Sequence, residues 1–167
     1  MLLSPVLLSG CLGMPETVKP VDDFDINRYL GKWYEIARLD HSFEAGLEQV
    51  YAEYAKFPEG GISVTNKGFD PEENEWVEAN GKAFFVNQQD QGYLQVSFFG
   101  PFYGSYVIFE LDKEGYQYAF VSGPNYDYLW FLSRTPVVPE SLKKQFRQQV
   151  KELGFDSDAL IFVKQGQ

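Results

Sequence analysis

Two chemically versatile residues are almost missing. A single cysteine among 167 residues excludes an internal disulfide and any cysteine-rich zinc site. A single histidine excludes a His-cluster metal centre and leaves few general bases. Positive charge is also short: 14 Lys and Arg stand against 24 Asp and Glu, for a net charge of −10. Phosphate backbones repel such a chain, which argues against nucleic acid as a partner. An anionic membrane surface repels it too, so any membrane association must come from insertion or a covalent lipid. What the chain does have is apolar and aromatic: 44% hydrophobic, with 15 Phe, 11 Tyr and 3 Trp, and only 23% charged. That composition excludes a disordered segment. The length fits one domain, and the aromatics favour strands and large apolar contacts.

The first ten residues, MLLSPVLLSG, are mostly apolar and uncharged. They are far too short to span a bilayer, which takes about 20 apolar residues, and read as the end of a secretory signal. The only cysteine follows directly, in Leu8-Ser9-Gly10-Cys11. This run resembles a bacterial lipobox: an apolar residue at −3, two small residues that admit a protease, then a thiol suited to thioether formation with a diacylglycerol. No Lys or Arg precedes the apolar run, a departure from the usual basic leader. The resemblance implies cleavage before Cys11 and lipidation of its thiol. Several acyl chains anchor firmly, at roughly 0.8 kcal/mol per buried CH₂. Leu12 at +2, in place of Asp, implies the outer rather than the inner membrane. Residues 11–21 hold Gly, Pro, Thr and Lys without periodicity and read as a lipidated tether. Residues 22–167 are left as the domain.

From Gly31 onward the hydrophobic pattern has period two, broken by turn residues. Eight strands are expected, over 32–39, 48–57, 62–69, 75–86, 93–99, 105–111, 116–122 and 128–134, with a last short one over 160–163. Turns such as Asp112-Lys113-Glu114-Gly115 suit hairpins between antiparallel neighbours. Nothing between the strands is long enough for a crossover helix, which excludes a parallel sheet. One helix is expected. Pro139 suits its first turn, Leu142, Phe146, Val150 and Leu153 form one apolar stripe, and Gly154 stands where a C-cap belongs. Closing the sheet on itself removes its two edges. A two-sheet sandwich is the rival, but its Greek-key links are usually longer. The expected fold is all-β: an eight-stranded antiparallel up-and-down β-barrel with one C-terminal α-helix packed outside. Such a barrel is just wide enough for side chains or one small ligand. Parity sets Trp33, Glu35 and Ala37 against Tyr34 and Ile36, and Tyr128, Trp130, Leu132 and Arg134 against Leu129 and Phe131. Both faces are largely apolar, as a strand between a lined interior and a covering helix requires. A one-residue register shift would reverse the assignment.

At Gly31 the sequence meets a family. Asn27-Arg28-Tyr29-Leu30-Gly31-Lys32-Trp33-Tyr34-Glu35-Ile36-Ala37 resembles the first conserved region of the lipocalins, built on Gly-x-Trp. Asn125-Tyr126-Asp127-Tyr128 resembles the second, a Thr-Asp-Tyr turn whose Asp is Asp127 here and whose Thr is replaced. Ser133-Arg134-Thr135-Pro136 resembles the third. The resemblance implies that Arg134 packs over Trp33 and closes the barrel base, by a cation–π contact and hydrogen bonds to carbonyls. Phe98-Phe99-Gly100-Pro101-Phe102-Tyr103-Gly104 and Asp127-Tyr128-Leu129-Trp130 are similar to the bacterial outer-membrane lipocalins, the branch nearest apolipoprotein D. The likeness spans Phe24 to Val163. It implies a deep pocket, a fatty acid or lysophospholipid as ligand, no cofactor, and lipid anchoring at the outer membrane of a Gram-negative bacterium. A homodimer stays open.

A fatty chain binds by withdrawing apolar area from water, so its pocket needs a greasy wall and one polar end. The inward parity offers Ala37, Ala52, Val64, Phe85, Val96, Phe98, Tyr106, Phe120 and Trp130 as wall, and Glu35, Asn66, Tyr54 and Tyr128 as polar contacts. A buried Glu35 must be protonated, partnered or near water, and could meet a choline or ethanolamine head beside aromatics. Asp40-His41-Ser42 is no catalytic triad, because adjacent side chains point apart. No Gly-x-Ser-x-Gly elbow or phosphate loop is present, and no metal site is expected. His41 is expected at the barrel mouth. The reading is a lipid-binding lipoprotein, not an enzyme. A structural envelope lipoprotein and a lipid-active hydrolase are the alternatives.

Overall fold

The period-two segments pair as nine antiparallel strands in a computed structural model that describes residues 12–99 and 102–166. They are β1 (Gly31–Leu39), β2 (Glu48–Lys56), β3 (Ile62–Asp70), β4 (Glu75–Phe85), β5 (Tyr93–Phe99), β6 (Phe102–Leu111), β7 (Tyr118–Ser122), β8 (Leu129–Ser133) and β9 (Leu160–Phe162). Each strand from β1 to β7 pairs with the next, and β8 pairs back onto β1, so the sheet closes into a barrel. Closure satisfies the edge hydrogen bonds that an open sheet would leave bare. β1 shares one edge between two partners: Gly31 to Tyr34 pair with β2, and Ala37 to Leu39 pair with β9.

Among the described residues two α-helices pack on the barrel. The long one, α2 (Glu140–Glu152), buries Phe146 and Val150 against the outside of the barrel. Phe146 meets Phe120 at 4.7 Å and Phe131 at 5.0 Å between ring centroids. Full burial of one such side chain stabilises by roughly 1.5–3 kcal/mol. Pro139 stands one residue earlier than expected, at the N-cap, and Gly154 ends the helix with φ +98° while the Phe155 amide donates to the Val150 carbonyl. The short one, α1 (Ile26–Tyr29), is capped by Asp25, whose side chain accepts from the Asn27 amide, and it carries the buried Tyr29 across the barrel base.

The apolar residues separate into two cores. One fills the barrel around Trp33, Tyr54, Val64, Leu94, Ile108 and Leu132. The other lies between barrel and α2, around Ile36, Phe120, Leu129, Phe131, Phe146 and Val150.

Two expectations are corrected here. Ala37 and Phe120 belong to the outer core beneath α2, not to the barrel wall. For Ala37 the reason is a β-bulge: the β1–β8 register runs Glu35↔Leu132 and then Ala37↔Phe131, so Ile36 is an extra residue. Parity flips there, and Arg38 replaces Ala37 on the face shared with Trp130. For Phe120 the reason is that β7 is apolar on both faces, so its alternation carries no direction. Within the segment read as a lipidated tether, Met14 packs on the outer core. Val18 is buried in the outer core, and the Val21 amide donates to the Ile108 carbonyl. Cys11, the leader before it and Gly100-Pro101 lie outside the described residues.

Candidate functional site: the barrel interior and its mouth

The barrel base is locked by one arginine. Gly31 takes φ +99°, a left-handed conformation that side chains resist. The next inward residue is Trp33, fully buried, whose Nε1 donates to the Tyr29 carbonyl at 2.8 Å. The Arg134 guanidinium lies 3.9 Å over the Trp33 ring. Its nitrogens donate to the carbonyls of Arg28 (2.7 Å), Lys32 (3.0 Å) and Tyr116 (3.2 Å). One fork thereby ties α1, β1 and the approach to β7.

Above the base three tyrosine hydroxyls meet inside the barrel. Tyr106 Oη lies 2.7 Å from Tyr29 Oη and 2.9 Å from Tyr54 Oη. Burial pushes all three phenols up from their ordinary pKa, so they stay neutral and act as hydrogen-bond partners. Ile26, Ile62, Ala83, Leu94 and Val96 complete the walls of a cavity of only about 10 Å³. That is room for about one water molecule. The cavity between these tyrosines is therefore not the deep pocket that the family resemblance implies. The tyrosines fill the lumen, because their hydroxyls satisfy one another across it.

The mouth carries the charge. Glu35 and Arg38 are both buried, and their side chains meet at 3.1 Å. The bulge at Ile36 makes this possible, since residues three apart in a regular strand face opposite ways. Arg38 Nε donates to Asp40 Oδ1 (3.1 Å), Nη1 to Glu35 Oε1 (3.1 Å), and Nη2 to the Glu44 carbonyl (3.0 Å). Burial, then the facing Glu44, pushes the Glu35 carboxyl well above the ordinary carboxylate range, against the pull of Arg38. Burial works against the Arg38 charge, but Glu35, Asp40 and Glu44 outweigh it and raise its pKa.

The loop between β1 and β2 folds over this cluster. Trp130 Nε1 donates to Glu44 Oε2 at 3.2 Å. His41 lies among three rings, with centroids 3.6 Å from Phe43 and 5.5 Å from both Tyr128 and Trp130. Its Nε2 stands 3.1 Å from Glu44 Oε2, an ion-pair distance without hydrogen-bond alignment.

The residues singled out in the sequence thus fall into three places. Glu35, Tyr128 and Trp130 come together at the mouth, and Tyr54 and Tyr106 in the lumen. Phe85 and Phe98 pack against the inner core, and half-buried Asn66 sits on that face of β3 between Ala52 and Ala79. Gly31, Trp33 and Arg134 form the base. Asp127 lies in the exposed turn before β8, where its amide donates to Asn125 Oδ1. Sequence parity missed Arg38, Glu44 and Tyr29. A signal for Arg38 was present: opposite charges at positions 35 and 38 of one apolar strand share a face only across a bulge.

Fold and lining define a binding barrel for small apolar molecules, not an enzyme. Residues 24–165 match the family described as lipocalin-like domain, and the chain belongs to the lipocalins. It is 64% identical to the outer membrane lipoprotein Blc of Vibrio cholerae, over 99% of this chain and 96% of that protein. It is 48% identical to the protein of the same name in Escherichia coli K12, over 90% and 85%. Mouse apolipoprotein D matches at 28% identity over 86% and 78%. Among solved structures, insecticyanin from the tobacco hornworm Manduca sexta superposes with a TM-score of 0.73 at 22% identity, covering 93% of this chain and 88% of that one. The bacterial relatives set the chain among the outer-membrane lipoproteins of Gram-negative bacteria.

Proposed function

We propose that the barrel binds the hydrocarbon tail of a fatty acid or lysophospholipid, with the polar head at the Glu35–Arg38 mouth, while Cys11 anchors the protein to the outer membrane. The observation that carries this reading is the lining. It is largely apolar and aromatic, with neutral tyrosine hydroxyls midway and a buried ion pair toward the open end. A tail must widen the lumen to enter. About 15 methylenes gain on the order of 12 kcal/mol on leaving water, at ~0.8 kcal/mol each. Leaving the three tyrosine hydroxyls unpaired costs about 1–3 kcal/mol each, which burial of the tail still outweighs. The docking of Val18 and Val21 on the barrel leaves little free chain between Cys11 and the domain, which keeps the barrel near the bilayer that supplies its ligand.

The test is organic extraction of the purified protein followed by mass spectrometry, with tryptophan fluorescence titration of the delipidated protein. Single-chain lipid in the extract and a saturable change on adding palmitate or a lysophospholipid are expected, with Trp130→Phe removing much of the signal. A clean extract together with a flat titration overturns the proposal. Cys11→Ala should release the protein into the soluble periplasm, and continued membrane retention would refute the anchor.

A further inference from the structure

The three phenols deep in the lumen carry one proton more than their mutual contacts use. Tyr29 comes from α1, Tyr54 from β2 and Tyr106 from β6, and Tyr106 Oη is the middle member, within hydrogen-bond distance of the other two. Each hydroxyl donates once and accepts twice. Two contacts therefore engage two of the three protons, whichever way they run. Among the described residues no fourth group hydrogen-bonds to any of the three hydroxyls. The third proton and the unused lone pairs are left to the void that the three rings help to line. Its volume of about 10 Å³ suits a single oxygen-bearing group. A buried donor without an acceptor is costly, so this void is a polar site and not a packing fault.

Charge and depth decide which oxygen fits. The cation at the base, Arg134, already donates to the carbonyls of Arg28, Lys32 and Tyr116, and the phenols themselves are neutral, so nothing here holds a carboxylate or a phosphate. A neutral hydroxyl is complementary: it accepts the third proton and donates its own to a phenol lone pair. Tyr54 lies four residues beyond Val50, the first buried residue of β2, about 13 Å further along the strand. A chain whose head rests at the mouth therefore meets the phenols with its middle carbons. We infer that Tyr29, Tyr54 and Tyr106 form a subsite for a hydroxyl borne partway along an acyl chain, so that the barrel selects hydroxylated over plain chains. The inference rests on the tail-binding reading above and narrows its ligand class. A plain chain that reaches the phenols parts them and offers no partner in return, whereas a hydroxylated chain takes a place in their network.

The experiment uses the full chain carrying Cys11→Ala, delipidated, and three probes with one carbon skeleton: stearate, 12-hydroxystearate and 2-hydroxystearate. Tryptophan emission follows the titration, since Trp33 packs on Tyr29 with ring centroids 4.7 Å apart. The parent is expected to bind 12-hydroxystearate about five- to tenfold more tightly than either other probe. A variant carrying Tyr29→Phe, Tyr54→Phe and Tyr106→Phe removes every partner at once and strands no hydroxyl, an exchange close to neutral for folding. It should bind stearate more tightly than the parent does and reverse the preference, because the ligand hydroxyl then enters an apolar wall. Stearate bound by the parent as tightly as 12-hydroxystearate, or a preference that survives in the triple variant, overturns the subsite and leaves tail binding standing. An equal preference for 2-hydroxystearate would place the recognised hydroxyl beside the head group and refute the deep site as well. The parent's ranking of the three probes decides the matter even where the triple variant does not fold. A parent that binds none of them overturns both readings.

Discussion

Replacing Arg134 by methionine keeps a long side chain over Trp33 but removes the charge and the donor fork. The loss can be worked from the contacts. The carbonyls of Arg28 and Lys32 are near solvent and recover water, so each of those hydrogen bonds is worth about 0.5–1 kcal/mol. The Tyr116 carbonyl is less exposed, and losing its donor costs about 1–2 kcal/mol. The cation–π contact over a fully buried indole adds about 1 kcal/mol. Together these give a destabilisation of about 3–5 kcal/mol. For a chain of this size each kcal/mol lowers Tm by about 2–4 °C, so a fall near 10 °C is expected by calorimetry. Arg134→Lys, which keeps a cation without the fork, should fall between the two. In a background carrying Trp76→Phe and Trp130→Phe, Trp33 is the only indole left, and its emission should shift to the red in Arg134→Met as the base admits water. A Tm loss under 2 °C, or unchanged Trp33 emission, would show that the arginine covers the base without holding it.

Three other substitutions probe the remaining layers. Tyr106→Phe strands the buried hydroxyls of Tyr29 and Tyr54 together, so urea unfolding should report a loss of about 2–4 kcal/mol; a loss below 1 kcal/mol would mean the two re-pair without cost. Phe146→Ala empties the contact between α2 and the rings of Phe120 and Phe131 and should cost about 3–5 kcal/mol, whereas a near-neutral result would mean α2 contributes little to stability. Burial raises the Glu35 pKa in the folded chain above its unfolded value, so its contribution is complete below the unfolded carboxylate pKa of about 4.3 and is lost as pH rises through the folded value. The Tm of Glu35→Gln should therefore gain on the parent as pH rises above that point, and a gain that grows toward acid pH would refute the assignment.

The barrel was legible because its signals are local and repeated. Alternation gave strands close to those observed, and short polar turns left antiparallel hairpins as the only economical connection. Closure followed from the need to remove two edges. The single long apolar stripe at Leu142, Phe146 and Val150 gave α2. What escaped was too short or too ambiguous for periodicity. Four residues cannot establish a helical period, so α1 was invisible although Asp25 caps it. In the 11–21 segment Val18 is buried in the outer core and Met14 packs against it, and two apolar residues four apart make no pattern.

The site was harder to read for a single physical reason, which is parity. Period two assigns a face only while the register is unbroken, and the bulge at Ile36 breaks it in the middle of β1. Before it, Trp33 and Glu35 fall inward as alternation requires. After it, Ala37 turns outward and Arg38 turns in, which converts an expected greasy wall into a buried ion pair at the mouth. The bulge therefore does more than misplace one alanine. It gives Glu35 its counter-ion, and it sets Arg38 to hold the backbone of Glu44. Glu44 in turn ties the covering loop to Trp130, so a one-residue irregularity in a strand decides how the open end of the barrel is closed.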